Sequence, residues 1–136
     1  AMAVEWKPEM SVGIGEIDVQ HRKIIGKLKE LSEALEKKES PEATAGIVKF
    51  LAVYIEEHFR TEEMFMLKYI YPDFKDHQDK HIGFLKRIGI LDDQIRENKL
   101  KGDELYNESL AVYNWFVLHI DNTDKKMGNF LRTKIR

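Results

Sequence analysis

Four stretches of the chain repeat apolar residues at steps of three and four, and short polar breaks separate them. This step is the period of one face of an α-helix. The first stretch shows it well, with the apolar positions Ile24, Ile25, Leu28, Leu31 and Leu35. Only 8 glycines and 3 prolines interrupt the 136 residues, and no alternating, strand-like segment stands out. The pattern therefore predicts an all-α protein.

The breaks between the stretches give approximate helix bounds. We expect helices over residues 18–38, 41–68, 73–98 and 103–121, preceded by an N-terminal arm and followed by a short C-terminal helical tail. Ser40-Pro41 is a helix start, and Asp18 and Asp73 are plausible N-caps. Because the connections are short, neighbouring helices should pack antiparallel, as an up-down-up-down four-helix bundle in a single domain over residues 1–136.

The composition argues against several classes of function. With 22 basic and 24 acidic residues the net charge is −2, so no basic excess favours nucleic acid. The absence of cysteine excludes disulfides, thiolate metal sites and iron–sulfur clusters. No apolar run is long enough to cross a membrane and the start does not resemble a signal peptide, so we expect a cytoplasmic protein without a membrane partner. A monomer is favoured.

All five histidines fall on the apolar faces of their helices. A single such histidine is usually a core residue with a satisfied hydrogen bond, but five buried imidazoles need polar partners that these faces hardly supply. His58 and Glu62 are four residues apart and so share one helix face, and His77 and His81 repeat that spacing. Each pair alone is weak evidence, because such pairs also occur as solvated or hydrogen-bonded neighbours.

The positions of these residues along their helices are more informative. His21 is near the start of its helix, His58 near the end, His77 near the start and His119 near the end. In an antiparallel bundle this alternation brings them all to one end, roughly 25 Å from the other at about 1.5 Å per residue. Imidazole and carboxylate without thiolate suit iron, zinc, copper, nickel or manganese, and five imidazoles are more than one ordinary site takes. The sequence predicts a two-metal centre.

The ordered pattern of these residues resembles the hemerythrin family, and most closely its single-domain bacterial members, the bacteriohemerythrins. Four motifs carry the resemblance, from about Trp6 to the last turn: a histidine after an acidic helix start (IDVQH, ending at His21), H-x-x-x-E (His58 to Glu62), H-x-x-x-H (His77 to His81) and H-x-x-x-x-D (His119 to Asp124). The resemblance implies a four-helix bundle that holds two iron ions with a bridging oxo or hydroxo group.

The resemblance also assigns the ligands. It implies that one iron is held by His77, His81 and His119, that the other is held by His21 and His58, and that Glu62 and Asp124 bridge the two. Two six-coordinate irons would then keep one open position, on the iron with two histidines, where dioxygen would bind. Asp124 is selected by the resemblance alone, because residues five apart lie about 140° apart around a regular helix. We therefore expect a π-type widening near Asn122.

The function implied by the resemblance is reversible dioxygen binding by an oxygen carrier, store or delivery protein, not an enzyme. An oxygen-consuming or redox protein would be its partner. Ile24, Trp115, Phe116 and Ile120 match the apolar positions of the family's oxygen pocket, although plain core packing also explains them. The alternatives are a di-iron redox enzyme (a peroxidase, an oxidase or a nitric oxide scavenger), an oxygen or redox sensor, and iron storage.

Overall fold

The computed structural model describes residues 4–135, which form an all-α fold without a strand in that range. The four long helices are α1 (Gly15–Glu36), α2 (Pro41–Lys68), α3 (Phe74–Arg96) and α4 (Gly102–His119). A π-helical segment, Ile120–Asp124, continues α4 into the short helix α5, Lys125–Arg132. The predicted helical class, with an arm before the first helix and a helical tail after the fourth, is confirmed.

The long helices form an antiparallel bundle in which each helix packs on its neighbours in sequence, and α1 also packs on α4. Their apolar faces enclose one hydrophobic core, whose largest fully buried side chains include Phe59, Phe84 and Phe116. No helix among residues 4–135 combines the length and apolar character that a membrane span requires.

Two of the three predicted caps differ in the structure. Ser40 caps α2 as expected, because its hydroxyl accepts a hydrogen bond from the Ala43 N–H at 3.2 Å. However, α1 begins at Gly15, so Asp18 lies inside its first turn and is not the N-cap. Asp73 does occupy the N-cap position of α3, but its side chain makes no capping bond and pairs with Lys126 at 2.6 Å.

Asp18 instead ties the N-terminal arm to the first helix. One carboxylate oxygen accepts from the Val12 N–H at 2.8 Å, and the other accepts from the Ser11 hydroxyl at 2.5 Å. The arm also contacts α5, where the guanidinium of Arg132 donates to the Val12 carbonyl at 2.5 Å. The arm is therefore tied to both α1 and α5, and four of its apolar residues are buried: Val4, Met10, Val12 and Ile14.

Three helices end in the same way, with a non-glycine residue in the left-handed conformation. The residues are Lys38 (φ 53°), Ile70 (φ 55°) and Asn98 (φ 56°). After each one, the next N–H bonds back to a carbonyl five residues earlier, as in Tyr71 N–H to Met66 O at 2.8 Å. This is the closing bond of a Schellman motif, in which glycine is the usual residue.

Candidate metal centre

The seven side chains selected from the sequence meet at one end of the bundle. α1 contributes His21, α2 contributes His58 and Glu62, α3 contributes His77 and His81, and the last residues of α4 and of the π-helical segment are His119 and Asp124. All are buried, and the most exposed, His119, shows 4% of its surface. Their alternation between helix starts and helix ends produces this single cluster, as the sequence predicts.

Each carboxylate divides its two oxygens between two groups of histidines. Glu62 Oε2 is 3.2 Å from His21 Nε2 and 2.9 Å from His58 Nε2. Glu62 Oε1 is 3.2 Å from His77 Nε2 and 3.0 Å from His81 Nε2. The two carboxylate oxygens thus face opposite groups, which we call the two-histidine half (His21 and His58) and the three-histidine half (His77, His81 and His119).

Asp124 repeats this division. Its Oδ2 is 3.0 Å from His21 Nε2, in the two-histidine half. Its Oδ1 is 3.1 Å from both His77 Nε2 and His119 Nε2, in the three-histidine half. Including the shared carboxylates, the three-histidine half gathers five potential ligands and the two-histidine half four, with ligand atoms within 4.8 Å of one another.

The donor atoms fit a metal better than they fit one another. The nitrogen–oxygen distances are close to 3 Å, the separation that adjacent ligands have around an octahedral ion at about 2.1 Å. Yet His58 Nε2, His81 Nε2, His119 Nε2 and both oxygens of Asp124 are buried without a hydrogen bond of acceptable geometry. Buried polar atoms normally have partners, so a cluster of orphaned lone pairs aimed at common points is suited to cations.

The π-helical segment explains how Asp124 reaches the centre. Residues five apart do not share a face in an α-helix, but the wider π turn of Ile120–Asp124 brings Asp124 to the side of His119. The widening expected near Asn122 is confirmed. The Asn122 amide also donates to the Leu118 carbonyl at 3.0 Å.

Aromatic rings enclose the two halves differently. In the three-histidine half, Phe59 stacks on His81 with ring centroids 3.8 Å apart, and Trp115 stacks on His119 at 4.6 Å. In the two-histidine half, the rings of Phe116 and His21 are nearly perpendicular, with centroids 5.8 Å apart. Of the four predicted pocket residues, Ile24, Phe116 and Ile120 are fully buried, whereas the partly exposed Trp115 lies against the three-histidine half.

The charges of the cluster are balanced by protons in the metal-free chain. Burial alone would lower the pKa of His21 and His77, but the carboxylates of Asp124 and Glu62 outweigh it and raise the pKa of each imidazole to about 9. The pKa of His58 is lowered, because there burial prevails over the Glu62 carboxylate. Burial raises the pKa of Glu62 and Asp124, but neighbouring imidazoles hold both well below the usual carboxyl range. A metal cation can replace these protons.

Two polar residues beside the ligands were not selected from the sequence. His58 Nδ1 is 2.7 Å from the Gln20 amide oxygen, and His81 Nδ1 is 2.8 Å from Glu63 Oε2. Glu63 does not share a helix face with His58, and its different direction on α2 points it at Gln78 and His81 of α3. The signal that would have found both is a hydrogen-bond acceptor directly adjacent in sequence to a ligand, since it faces the neighbouring helix.

Comparison with known proteins gives a consistent set of relatives. A family model described as the hemerythrin HHE cation binding domain matches residues 12–131. The bacteriohemerythrin of Pseudomonas aeruginosa (strain LESB58) is 29% identical over 119 residues, covering 88% of this chain and 75% of that protein. The bacteriohemerythrin of Clostridium acetobutylicum is 28% identical over 125 residues, covering 89% and 95%.

Solved structures agree on the fold. A crystal structure of wild-type hemerythrin superposes with a TM-score of 0.87 at 24% identity, over 96% of this chain and 98% of that one. A mutant of hemerythrin in which a leucine is replaced by tyrosine gives the same TM-score at 23% identity. The family match extends from the N-terminal arm into α5 and includes all seven residues of the cluster, and by this match the chain is a member of the hemerythrin family.

Proposed function

We propose that this chain is a non-haem di-iron protein that binds dioxygen reversibly and serves as an oxygen carrier, store or delivery protein. The observation that supports this most directly is the division of both carboxylates. Glu62 and Asp124 each present one oxygen to a group of three histidines and the other to a group of two. Such carboxylates suit two metal ions held side by side, and unequal histidine groups give those ions unequal surroundings.

In this proposal the ligands follow the two halves. His77, His81 and His119 hold one iron, His21 and His58 hold the other, and Glu62 and Asp124 bridge them together with an oxo or hydroxo group. The three-histidine half supplies five protein ligands and the two-histidine half supplies four, and the bridging oxygen would add one ligand to each iron. With both irons octahedral, one position would remain open, in the two-histidine half. Each of two ferrous ions can give up one electron, so the pair would supply two electrons to a bound dioxygen and recover them on its release.

The surrounding side chains would protect that position. Phe116 covers the two-histidine half through its edge contacts with His21 and His58. We propose that it lines the oxygen pocket with the fully buried Ile24 and Ile120, and that Trp115 supports His119 from the other half. An apolar lining of this kind excludes water and stray protons, which would otherwise convert reversible binding into oxidation.

The composition of the cluster favours binding over catalysis. Di-iron centres in carboxylate-rich bundles use four glutamates and two histidines, whereas this cluster has five histidines and two carboxylates. The histidine-rich set carries less negative charge, so it stabilises high oxidation states less. The named relatives are bacteriohemerythrins. An oxygen or redox sensor is the second candidate, since such a sensor would use the same metal centre.

Anaerobic reduction of iron-loaded protein, followed by oxygen titration and removal, tests the proposal. We expect about two irons per chain and a coloured species that forms and disappears reversibly over several cycles. A stoichiometry of one iron would contradict the two-metal centre. Rapid irreversible oxidation with release of peroxide would contradict the carrier and favour a redox enzyme.

A further inference from the structure

The imidazole nitrogens that point away from the cluster have unequal partners. One histidine in each half has a side-chain acceptor at Nδ1: His58 faces the Gln20 amide oxygen at 2.7 Å, and His81 faces the Glu63 carboxylate at 2.8 Å. The acceptor is neutral in the two-histidine half and negatively charged in the three-histidine half. The Nδ1 atoms of His21 and His77 are buried without any hydrogen bond.

A chain of hydrogen bonds fixes the orientation of Gln20. The Thr61 hydroxyl donates to the Glu57 carbonyl at 3.2 Å, so its single proton is used there. Thr61 Oγ1 can then only accept from Gln20, at 3.1 Å, which identifies the Gln20 group facing it as NH2. The Gln20 oxygen must therefore face His58, and His58 must carry its proton on Nδ1. This tautomer leaves the Nε2 lone pair directed at the cluster.

Glu63 holds His81 in the same tautomer, but Glu63 is negatively charged whereas Gln20 is neutral. A carboxylate can only accept hydrogen bonds, so Glu63 Oε2 accepts one from the N–H at His81 Nδ1. Glu63 Oε1 accepts another from the Gln78 amide at 3.3 Å. Glu63 is partly shielded, with 23% of its side chain exposed. A carboxylate behind a ligand imidazole increases the electron density that the ring donates to a metal, and mutation of such partners usually changes metal affinity 10–100-fold.

We propose that Gln20 and Glu63 are positioning residues that hold His58 and His81 in the metal-binding tautomer and make the two metal positions electronically unequal. The negative charge of Glu63 stabilises the more oxidised, more positive metal in the three-histidine half. The neutral amide of Gln20 leaves the two-histidine half without that support. This inference rests on the proposed di-iron function and adds an electronic difference to the difference in ligand number.

The matched exchange of the two groups tests the proposal. Glu63→Gln removes the charge and Gln20→Glu adds one, with almost no change in shape. Glu56→Gln is the control, since Glu56 lies on the same helix, pairs with Arg60 and is 49% exposed. The measurements are the reduction potential of the iron-loaded protein, its iron content, and the affinity for zinc, which has no redox chemistry.

We expect Glu63→Gln to favour the reduced state about tenfold, or about 59 mV for a one-electron step, and Gln20→Glu to favour the oxidised state. Zinc affinity should fall about tenfold in Glu63→Gln and rise in Gln20→Glu, with no change in Glu56→Gln. Potentials and zinc affinities of Glu63→Gln equal to those of Glu56→Gln, at two irons per chain, would overturn this inference alone. Parent protein that holds fewer than two irons would overturn the proposed function as well.

Discussion

His21 and His77 occupy corresponding positions in the two halves of the cluster. His21 Nε2 lies 3.2 Å from Glu62 and 3.0 Å from Asp124, and His77 Nε2 lies 3.2 Å and 3.1 Å from the other oxygens of the same carboxylates. Each can therefore serve as the control for the other in mutation. Any difference between their variants reflects the halves in which they lie rather than the loss of an imidazole as such.

We predict that His21→Ala keeps substantial iron but loses reversible oxygenation. The substitution opens a second position on the iron of the two-histidine half, where water can enter, compete with dioxygen and supply protons. Autoxidation should accelerate at least about tenfold. His77→Ala should instead lose more iron. Oxygen equilibrium curves and iron assays measure both effects, and an unchanged autoxidation rate in His21→Ala would place the open position elsewhere.

At the scale of elements, the end of α2 carries a strained residue. Ile70 is β-branched, has φ 55° and is 83% exposed, so no burial compensates its left-handed backbone. Ile70→Gly should raise the free energy of unfolding by about 1 kcal/mol, because glycine adopts this conformation without a steric penalty. Ile90→Gly is the matched control: Ile90 is also exposed but lies within α3, where glycine should cost about 0.5 kcal/mol. If urea unfolding showed that both substitutions change the free energy of unfolding in the same direction, the proposed backbone strain at Ile70 would be refuted.

The contact between the arm and α5 gives a second prediction at this scale. A Cβ added to the buried Gly128 would lie 2.4 Å from the Val12 carbonyl oxygen and 3.0 Å from Val12 Cβ. Because a backbone atom cannot move aside as a flexible side chain can, Gly128→Ala should destabilise the protein by about 1–3 kcal/mol. Gly26→Ala, exposed in α1 with nothing within 4 Å, should stabilise it by about 1 kcal/mol. Thermal unfolding of both variants measures the difference, and equal stabilities would contradict the close approach.

The elements also show which features the sequence could predict. Local rules were sufficient for α2, whose start at Pro41 and end at Lys68 follow from a serine cap and the apolar period. They failed for the start of α1, because the partners of Asp18 lie in the arm, six and seven residues before it. The π-helical segment was predictable only because Asp124 had first been selected by resemblance.

The features of the candidate site likewise divide into those that the sequence could predict and those that it could not. The positions of five histidines along their helices predicted one cluster, since axial position can be counted along a chain. The roles of Gln20 and Glu63 depend on the rotation of one helix against another, which counting does not supply. The stack of Trp115 on His119 likewise depends on side-chain packing within α4 and against α3.

At the scale of the whole molecule, stability and metal content are coupled through protons at one end of the bundle. In the metal-free chain the pKa of His21 and His77 is about 9, against 6.5 in an unfolded chain. A raised folded-state pKa contributes stability that is complete below the unfolded value and lost as pH rises through the folded one. Glu62 and Asp124, whose pKa is lowered, contribute stability that is lost only as pH falls below the usual carboxyl range.

We therefore predict that metal-free protein loses stability between pH 6.5 and 9, and that metal-loaded protein does not. Metal needs neutral imidazoles, so its binding competes with these protons and strengthens over the same range. The gap between the melting temperatures of zinc-loaded and metal-free protein should widen from pH 6.5 to 9 and close as the pH falls further. His21→Gln, which removes one of the imidazoles whose pKa is raised, should flatten the decline of the metal-free form. A metal-free melting temperature that is constant over this window, or a decline that His21→Gln leaves unchanged, would show that protons on these imidazoles do not replace the metal.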